Sequence, residues 1–309
     1  MKAIRVHQYG PPSALVEEDV PEPTPGEGGV VLQVFASGVG PWDALLRTGA
    51  DRTFGDLPLI PGSDVAGVVE EVGLGVRDLR PGDRVYGSTN PQFTGGYAEY
   101  CEAVAGMLAP MPRGLDFVHA AAVPVVAVEA LQLLFDYGRL TAGETVLVQG
   151  AAGSVGSCVV QLAHQAGATV IGTASGADVS RVRELGADLV IDYRTERFED
   201  VATNVDLIVD TVGGETQTRS FSVLRSGGRM VSSVSQPDHD EAARRGVLAS
   251  FFIAEVTRER LLSITERIEA RRLSVEVGEV LPLAEARRAH EMLEGAPHRR
   301  GKIVLRLAE

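Results

Sequence analysis

Three glycines spaced three apart, Gly150, Gly153 and Gly156, follow directly on the apolar run TVLVQ (Thr145–Gln149). They open the segment SVGSCVVQLAHQAG, in which Val155, Val159, Leu162 and Ala166 recur at helical spacing. At such a turn from strand to helix, the lack of Cβ atoms lets backbone N–H groups and the positive helix end approach a pyrophosphate. Small residues also serve tight turns and close helix packing, and the spacing here is G-x-x-G-x-x-G, with Ala151 where the usual fingerprint has its first glycine. Context favours the phosphate cradle. A second strand candidate, TVIGTA from Thr169, completes a βαβ unit. Gly150, Ala151, Gly153, Ser154, Val155 and Gly156 are therefore the candidate dinucleotide-binding turn.

The alternation continues. SRVRELGA reads as a helix ending on a glycine, and LVIDY, VDLIVDTV and GGRMVSSV, at Leu189, Val205 and Gly227, read as further strands. Near-continuous apolar strands separated by helices predict a parallel sheet covered on both faces, a Rossmann-like doubly wound domain. Upstream the texture differs: MKAIRV, GGVVLQVFASGV, DVAGVVEEVG and GDRVYG are β-like runs punctuated by PGEGG and RPGD. The segment AAAVPVVAVEALQLLFDYGRL after His119 reads as a buried helix. After a helix expected over residues 259–271, β-like texture returns in SVEVGEV and GKIVLRL. The expected α/β architecture is thus a β-rich domain, residues 1–121 and 264–309, interrupted by a Rossmann domain, residues 122–263.

The end of the second strand bears on the choice of dinucleotide. NAD enzymes usually place an acid there for the ribose 2′-hydroxyl, whereas this chain has GTASG with no acid until Asp178. NADP is favoured, with Thr173 at the strand end, Ser175 as a donor to a 2′-phosphate, and Arg181, less so Arg183, as its ion-pair partner. Solvated helix charge is the alternative reading of the arginines, and an inward-pointing Asp178 would weaken the site. Thr211, Val212 and Gly213 end one strand and Ser232 and Ser233 the next, where open α/β sheets bind ligands.

Charge narrows the partners. With 42 acidic against 29 basic residues the formal charge is −13, which disfavours nucleic acid and anionic membranes. No membrane-spanning run and no signal-peptide core are legible, and two cysteines, Cys101 and Cys158, suit a reducing cytoplasm, although one disulfide stays open. The six histidines have no metal-like spacing to one another or to a cysteine, so no metal site is expected, and each is read as a surface or helix-face residue.

The succession PLIPGSDVAGVVEEVG, RPGDRVYG, GGYAEY, AAAVPVVAVEALQLLF, TVLVQGAAGSVGSCVVQLA, LGADLVIDY, DTVGGET and RGKIVL resembles the zinc-free medium-chain dehydrogenase/reductases of the quinone oxidoreductase-like branch over essentially the whole chain. The resemblance implies a GroES-like catalytic domain beside the Rossmann domain, NADPH and substrate in the cleft between them, hydride transfer to a quinone or an α,β-unsaturated carbonyl, and a homodimer. Zinc members carry Gly-His-Glu where this chain has Gly62, Ser63 and Asp64. Without a Lewis acid, conjugated acceptors are the easier substrates, because they spread the incoming charge to a remote oxygen.

SGVGPWDALLRTG (Ser37–Gly49) is similar to the family's ASGVNPxDxxxR stretch at the nicotinamide end of the cleft. Gly40 stands where Asn is usual and Leu45 where some members have Tyr, so a side-chain proton donor is not expected. Asp43 and Arg47 remain as cleft candidates, with a paired structural role the alternative. Tyr97 and Lys302 are motif residues placed beside the cleft, Lys302 among the cofactor contacts; aromatic packing and surface charge are their alternatives. Phe251 and Phe252 offer an apolar wall or a dimer contact. Other readings are an enoyl-thioester or polyketide enoyl reductase, and a non-catalytic NADPH-binding sensor or structural protein.

Overall fold

The computed structural model describes residues 1–50 and 56–308. The chain divides into two compact units, one made of Met1–Val125 with Val256–Glu309 and the other of Val126–Glu255. The first unit opens with β1 (Lys2–Val6), antiparallel to β2 (Leu15–Asp19). Next comes β3 (Gly29–Val39), buried along most of its length, with α1 (Pro41–Thr48) at its end. β4 (Asp64–Val72), β5 (Arg84–Ser88), β6 (Tyr100–Val104) and β7 (Leu108–Pro110) build an antiparallel sheet around it. The apolar segment expected as a single buried helix is broken into pieces. After α2 (Phe117–Ala121), Pro124 sits at the head of α3 (Pro124–Leu131), where its missing N–H costs no helical bond, and Gln132–Tyr137 continues as a π-helical stretch.

In the second unit strands and helices alternate: β8 (Thr145–Gln149), α4 (Ser154–Gln165), β9 (Thr169–Ala174), α5 (Val179–Glu184), β10 (Leu189–Asp192), α6 (Phe198–Val201), β11 (Val205–Asp210), α7 (Gly214–Ser220), β12 (Leu224–Ser232), α8 (His239–Arg245) and β13 (Leu248–Phe251). All pairings are parallel, in the order β10-β9-β8-β11-β12-β13. The order reverses between β8 and β11, which defines a doubly wound sheet with a crevice at the carboxyl ends of those two strands. Their apolar side chains, such as Leu147 and Ile208, are fully buried, which is why these strands read as continuous apolar runs.

The chain then returns to the first unit through α9 (Arg258–Glu269), β14 (Val277–Pro282), α10 (Ala286–Leu293) and β15 (Lys302–Arg306). β15 pairs antiparallel with β3, and β14 pairs with β15. The return comes at Val256, earlier than the boundary expected at residue 264. Contacts of α9 explain the difference: the Tyr86 hydroxyl donates to the Leu261 carbonyl at 2.8 Å, and Arg258 Nε donates to the Leu108 carbonyl at 2.8 Å. The other boundary falls at Val125 instead of residue 121.

Candidate active site

In the second unit, Gly150 follows β8 with φ +79°, a left-handed conformation that favours glycine, and Gly153 caps α4. The turn is closed by Gly153 N–H donating to Gly150 O at 2.9 Å. At Gly156 a Cβ would meet Gly150 O at 2.2 Å, so glycine is required for the first turn of α4 to lie on the loop. The first amides of α4, at Ser154, Val155 and Gly156, have no acceptor within the helix and give its N-terminus partial positive charge. Gly153 is exposed and a Cβ there would meet only Gly150 O, at 3.3 Å. An open, positively polarised cradle of this kind fits a pyrophosphate. Ala151 and Thr173 lie beneath it: Ala151 N–H donates to Thr173 O, and Thr173 Oγ1 accepts from Gly150 N–H at 3.1 Å while donating to Gln149 Oε1 at 2.8 Å. Thr173 is therefore a buried brace of the turn, not a residue on its face.

At the end of β9, Ser175 and Asp178 are both buried, and the Ser175 hydroxyl donates to Asp178 Oδ2 at 3.0 Å. In this arrangement the Ser175 proton is directed to the carboxylate, the inward-pointing Asp178 that would weaken a phosphate site. Arg181 is half-buried on α5 and Arg183 is exposed.

At the ends of β11 and β12 a buried carboxylate missed in the sequence, Asp210, organises the loops. Its Oδ1 accepts from the amides of Val212 and Gly213 at 3.0 and 2.9 Å, and its Oδ2 from Gln217 Nε2 and the Ser232 hydroxyl at 2.9 and 2.8 Å. Ser232 is buried and bonded to Asp210, and Ser233 is half-buried. Thr211 Oγ1 donates to Gln149 O at 2.8 Å, tying β11 to β8 across the strand-order reversal, and Val212 is exposed there. Gly213, with φ +77°, precedes α7. Phe252 is buried and stacks on Tyr137 with ring centroids 4.3 Å apart, so it packs internally, whereas Phe251 is half-buried.

The first unit holds a buried polar chain. Asp43, third residue of α1, reaches back to accept from Gly40 N–H at 2.8 Å, as the acid of a capping box does, and also accepts from Gly62 N–H at 3.2 Å and the Tyr97 hydroxyl at 3.0 Å. One turn along, Arg47 Nε donates to His290 Nδ1 at 3.2 Å, while its other nitrogens reach the Gly10 carbonyl and Glu294. Because the guanidinium only donates, we assign the His290 proton to Nε2, which lies 3.4 Å from the Tyr97 hydroxyl. Asp43, Tyr97, His290 and Arg47 thus form one fully buried line. Burial pushes the Asp43 carboxyl up to about 7 against the opposing pull of the Gly40 amide, Lys302 and Tyr97, raises the Tyr97 phenol well above its usual range, and lowers His290 to about 3. His290, expected on a surface or helix face, lies on the buried face of α10 and not at the surface. Leu45 points away and is exposed.

Trp42 occupies the space beside Gly40. A Cβ at Gly40 would come within 2.3 to 2.6 Å of three carbons of the indole, so the glycine and the ring require each other. The indole N–H donates to Ser63 Oγ at 3.1 Å, and the Lys302 ammonium stands 4.3 Å from its ring centre. Lys302 is buried and lies 2.9 Å from Asp64 Oδ2, with the angles of a charge contact and not of an aligned hydrogen bond. Its burial rules out the alternative of a surface charge. Asp64 Oδ1 accepts from Val125 N–H at 2.9 Å.

Zinc does not fit these residues. Among the described residues no three side chains of His, Cys, Asp or Glu converge on a point, Ser63 hydrogen-bonds to Trp42, and Asp64 is spent on Lys302.

Two family models match, the alcohol dehydrogenase GroES-like domain over residues 26–113 and the zinc-binding dehydrogenase over residues 185–305. The quinone oxidoreductase of Rattus norvegicus is 32% identical across 99% of this chain and 98% of its own. A chloroplastic NADPH-dependent alkenal/one oxidoreductase of Arabidopsis thaliana is 38% identical across 75% of this chain and 62% of its own. The structure of the quinone oxidoreductase from Coxiella burnetii superposes with a TM-score of 0.93 at 32% identity, covering 99% of both chains. A strand order that reverses at a glycine cradle, a β-rich unit rejoined by the C-terminus, and these full-length likenesses agree: the chain belongs to the quinone oxidoreductase family of the medium-chain dehydrogenase/reductases.

Proposed function

We propose that this protein is an NADPH-dependent oxidoreductase that delivers hydride, without zinc, to a quinone or another α,β-unsaturated carbonyl. The observation that carries the reading is the glycine cradle at the reversal of strand order, in a chain whose full-length relatives are named quinone oxidoreductases. The Arabidopsis relative, named for NADPH and for alkenals and alkenones, supports the cofactor and extends the acceptor class. When bound, NADPH supplies the hydride, and one proton completes a hydroquinone or a saturated ketone.

The chain's own residues have separate tasks. The amides of Ser154, Val155 and Gly156 hold the pyrophosphate, with Gly150 and Gly153 keeping the approach open and Ala151 and Thr173 bracing the loop. Arg181 is the candidate partner of a 2′-phosphate, beside the Ser175–Asp178 pair. Thr211, Val212, Gly213 and Ser233 present the ends of β11 and β12 to the nicotinamide half. Asp43 and Tyr97 position the Gly40 and Gly62 backbone; both are buried and bonded to each other, so the proton comes from water.

A homodimer is part of the proposal. The short strand β13 lies at the sheet edge, and Leu248 and Ile253 expose apolar surface there. Neither cysteine is in a disulfide, which supports a reducing cytoplasm. The test is NADPH consumption against quinones, short enones and enoyl thioesters, with NADH in parallel. Turnover of quinones or enones is expected, with NADPH preferred; tight NADPH binding without turnover on the whole panel would defeat the assignment.

A further inference from the structure

Gly40 presents no side chain of its own to its surroundings, because the Trp42 indole fills the position that one would take. The ring is pinned. Its N–H is bound to Ser63, the Lys302 ammonium sits over it, and Phe93 stands behind it with ring centroids 6.4 Å apart at 56°. Phe93 has φ +57°, a conformation costly for a bulky side chain. Asn90 over-determines that loop: its Oδ1 accepts from the amides of Gln92 and Thr94, and its Nδ2 donates to Thr94 O at 2.8 Å. Phe93 is buried, whereas Trp42 is half-buried. The group beside Gly40 is thus an aromatic ring held in place, with its polar N–H already satisfied.

We propose that Trp42 is a specificity-determining residue that favours acceptors with an extended aromatic plane, quinones fused to an aromatic ring, over small aliphatic enones. This rests on the reading of the protein as a quinone or enone reductase with the Gly40–Arg47 segment at the acceptor. A flat, electron-poor quinone stacks on the indole in an offset arrangement, whereas a short enone has no ring to place there. Hydride adds two electrons to the quinone, and a proton from water completes the hydroquinone, so Trp42 contributes binding and no chemistry.

The chain has one tryptophan, so intrinsic indole emission reports on Trp42 alone. The test measures steady-state NADPH oxidation by wild type, Trp42→Phe and Trp42→Ala with naphthoquinone and with methyl vinyl ketone. In parallel, wild-type emission is titrated with naphthoquinone in the presence of NADP+. Trp42→Ala should raise the KM for naphthoquinone roughly 2- to 12-fold, the range one aromatic contact contributes, with little change for methyl vinyl ketone. Trp42→Phe should recover most of the loss, and naphthoquinone should quench wild-type emission over the concentrations that saturate turnover. Equal effects of Trp42→Ala on both acceptors, or emission indifferent to naphthoquinone, would overturn the inference while leaving the reductase assignment intact. Wild type that oxidises NADPH with neither acceptor defeats that assignment and the inference with it. If the alanine variant does not fold, the phenylalanine variant and the wild-type titration decide.

Discussion

Arg47 and His290, 243 residues apart in the chain, meet in the interior of the first unit, with the guanidinium Nε 3.2 Å from Nδ1 of the imidazole. An arginine donor on Nδ1 leaves the imidazole neutral, and His290 passes its own N–H on toward Tyr97, whose hydroxyl serves Asp43. Stability should therefore depend on pH in a way that two variants can separate. Asp43 is held at about 7 from an ordinary 3.8, so the folded chain keeps a proton that the unfolded chain releases, and stability falls as pH rises from ~4 to ~7. His290 is held at about 3 from 6.5, so the unfolded chain takes a proton that the folded chain refuses, and stability falls as pH drops from ~6.5 to ~3. The two slopes oppose each other over most of that range. Relative to wild type, His290→Gln should show stability declining with rising pH, and Asp43→Asn stability increasing with it. Urea midpoints across the window check both; parallel curves for all three proteins would contradict the buried titrations.

Asp43→Asn should also cost about 1–3 kcal/mol near neutral pH, because an amide NH2 must face Gly40 N–H and Tyr97 or else Gly62 N–H. Chemical denaturation measures the loss.

The glycine cradle separates folding from binding. Gly156→Ala puts its methyl 2.2 Å from Gly150 O and should destabilise the second unit by about 1–3 kcal/mol as well as weaken NADPH binding. At Gly153, φ is −71° and the nearest atom to a new methyl is 3.3 Å away, so Gly153→Ala should melt near wild type. The methyl stands on the open side of the loop, and NADPH affinity measured by calorimetry should fall roughly tenfold or more.

Much of the second unit is legible in the sequence. β8, α4 and β9 follow from apolar periodicity because a parallel sheet buried on both faces leaves little room for polar residues, and the glycines mark the turn between them. At the end of β9 spacing does not show that the chain curls back, so that Asp178, three residues beyond Ser175, accepts from its hydroxyl. Asp210 did carry a signal, an acid closing the apolar strand VDLIVD, where a buried charge needs loop amides. His290 carried almost none. It lies on the apolar face of α10 beside Ala286 and Ala289, and its partners come from distant α1 and from the loop before β6. Nor does spacing show that the glycine at 40 and the tryptophan at 42 are one choice.

That coupling is measurable. Gly40→Ala alone should destabilise the protein, because the new methyl overlaps the indole, while Gly40→Ala in a Trp42→Ala background should cost little. The double-mutant cycle should return an interaction of about 0.5–3 kcal/mol, and additive effects would show that the ring moves aside freely.

Lys302→Met should be among the more damaging single changes, at about 3–5 kcal/mol, because it leaves the buried carboxylate of Asp64 without its cation. Adding Asp64→Asn to it should restore part of that loss, read as a rise in the denaturation midpoint over the single variant.

Hydride passes from NADPH to a conjugated acceptor in the proposed reaction. That transfer is followed by supplying NADPH deuterated at the transferable position of the nicotinamide with an enone as acceptor, and locating the label by mass spectrometry. One deuterium is expected at the β-carbon of the saturated product, with the neighbouring hydrogen drawn from water. Product without deuterium, or NADPH left unconsumed with every enone and quinone offered, would contradict it.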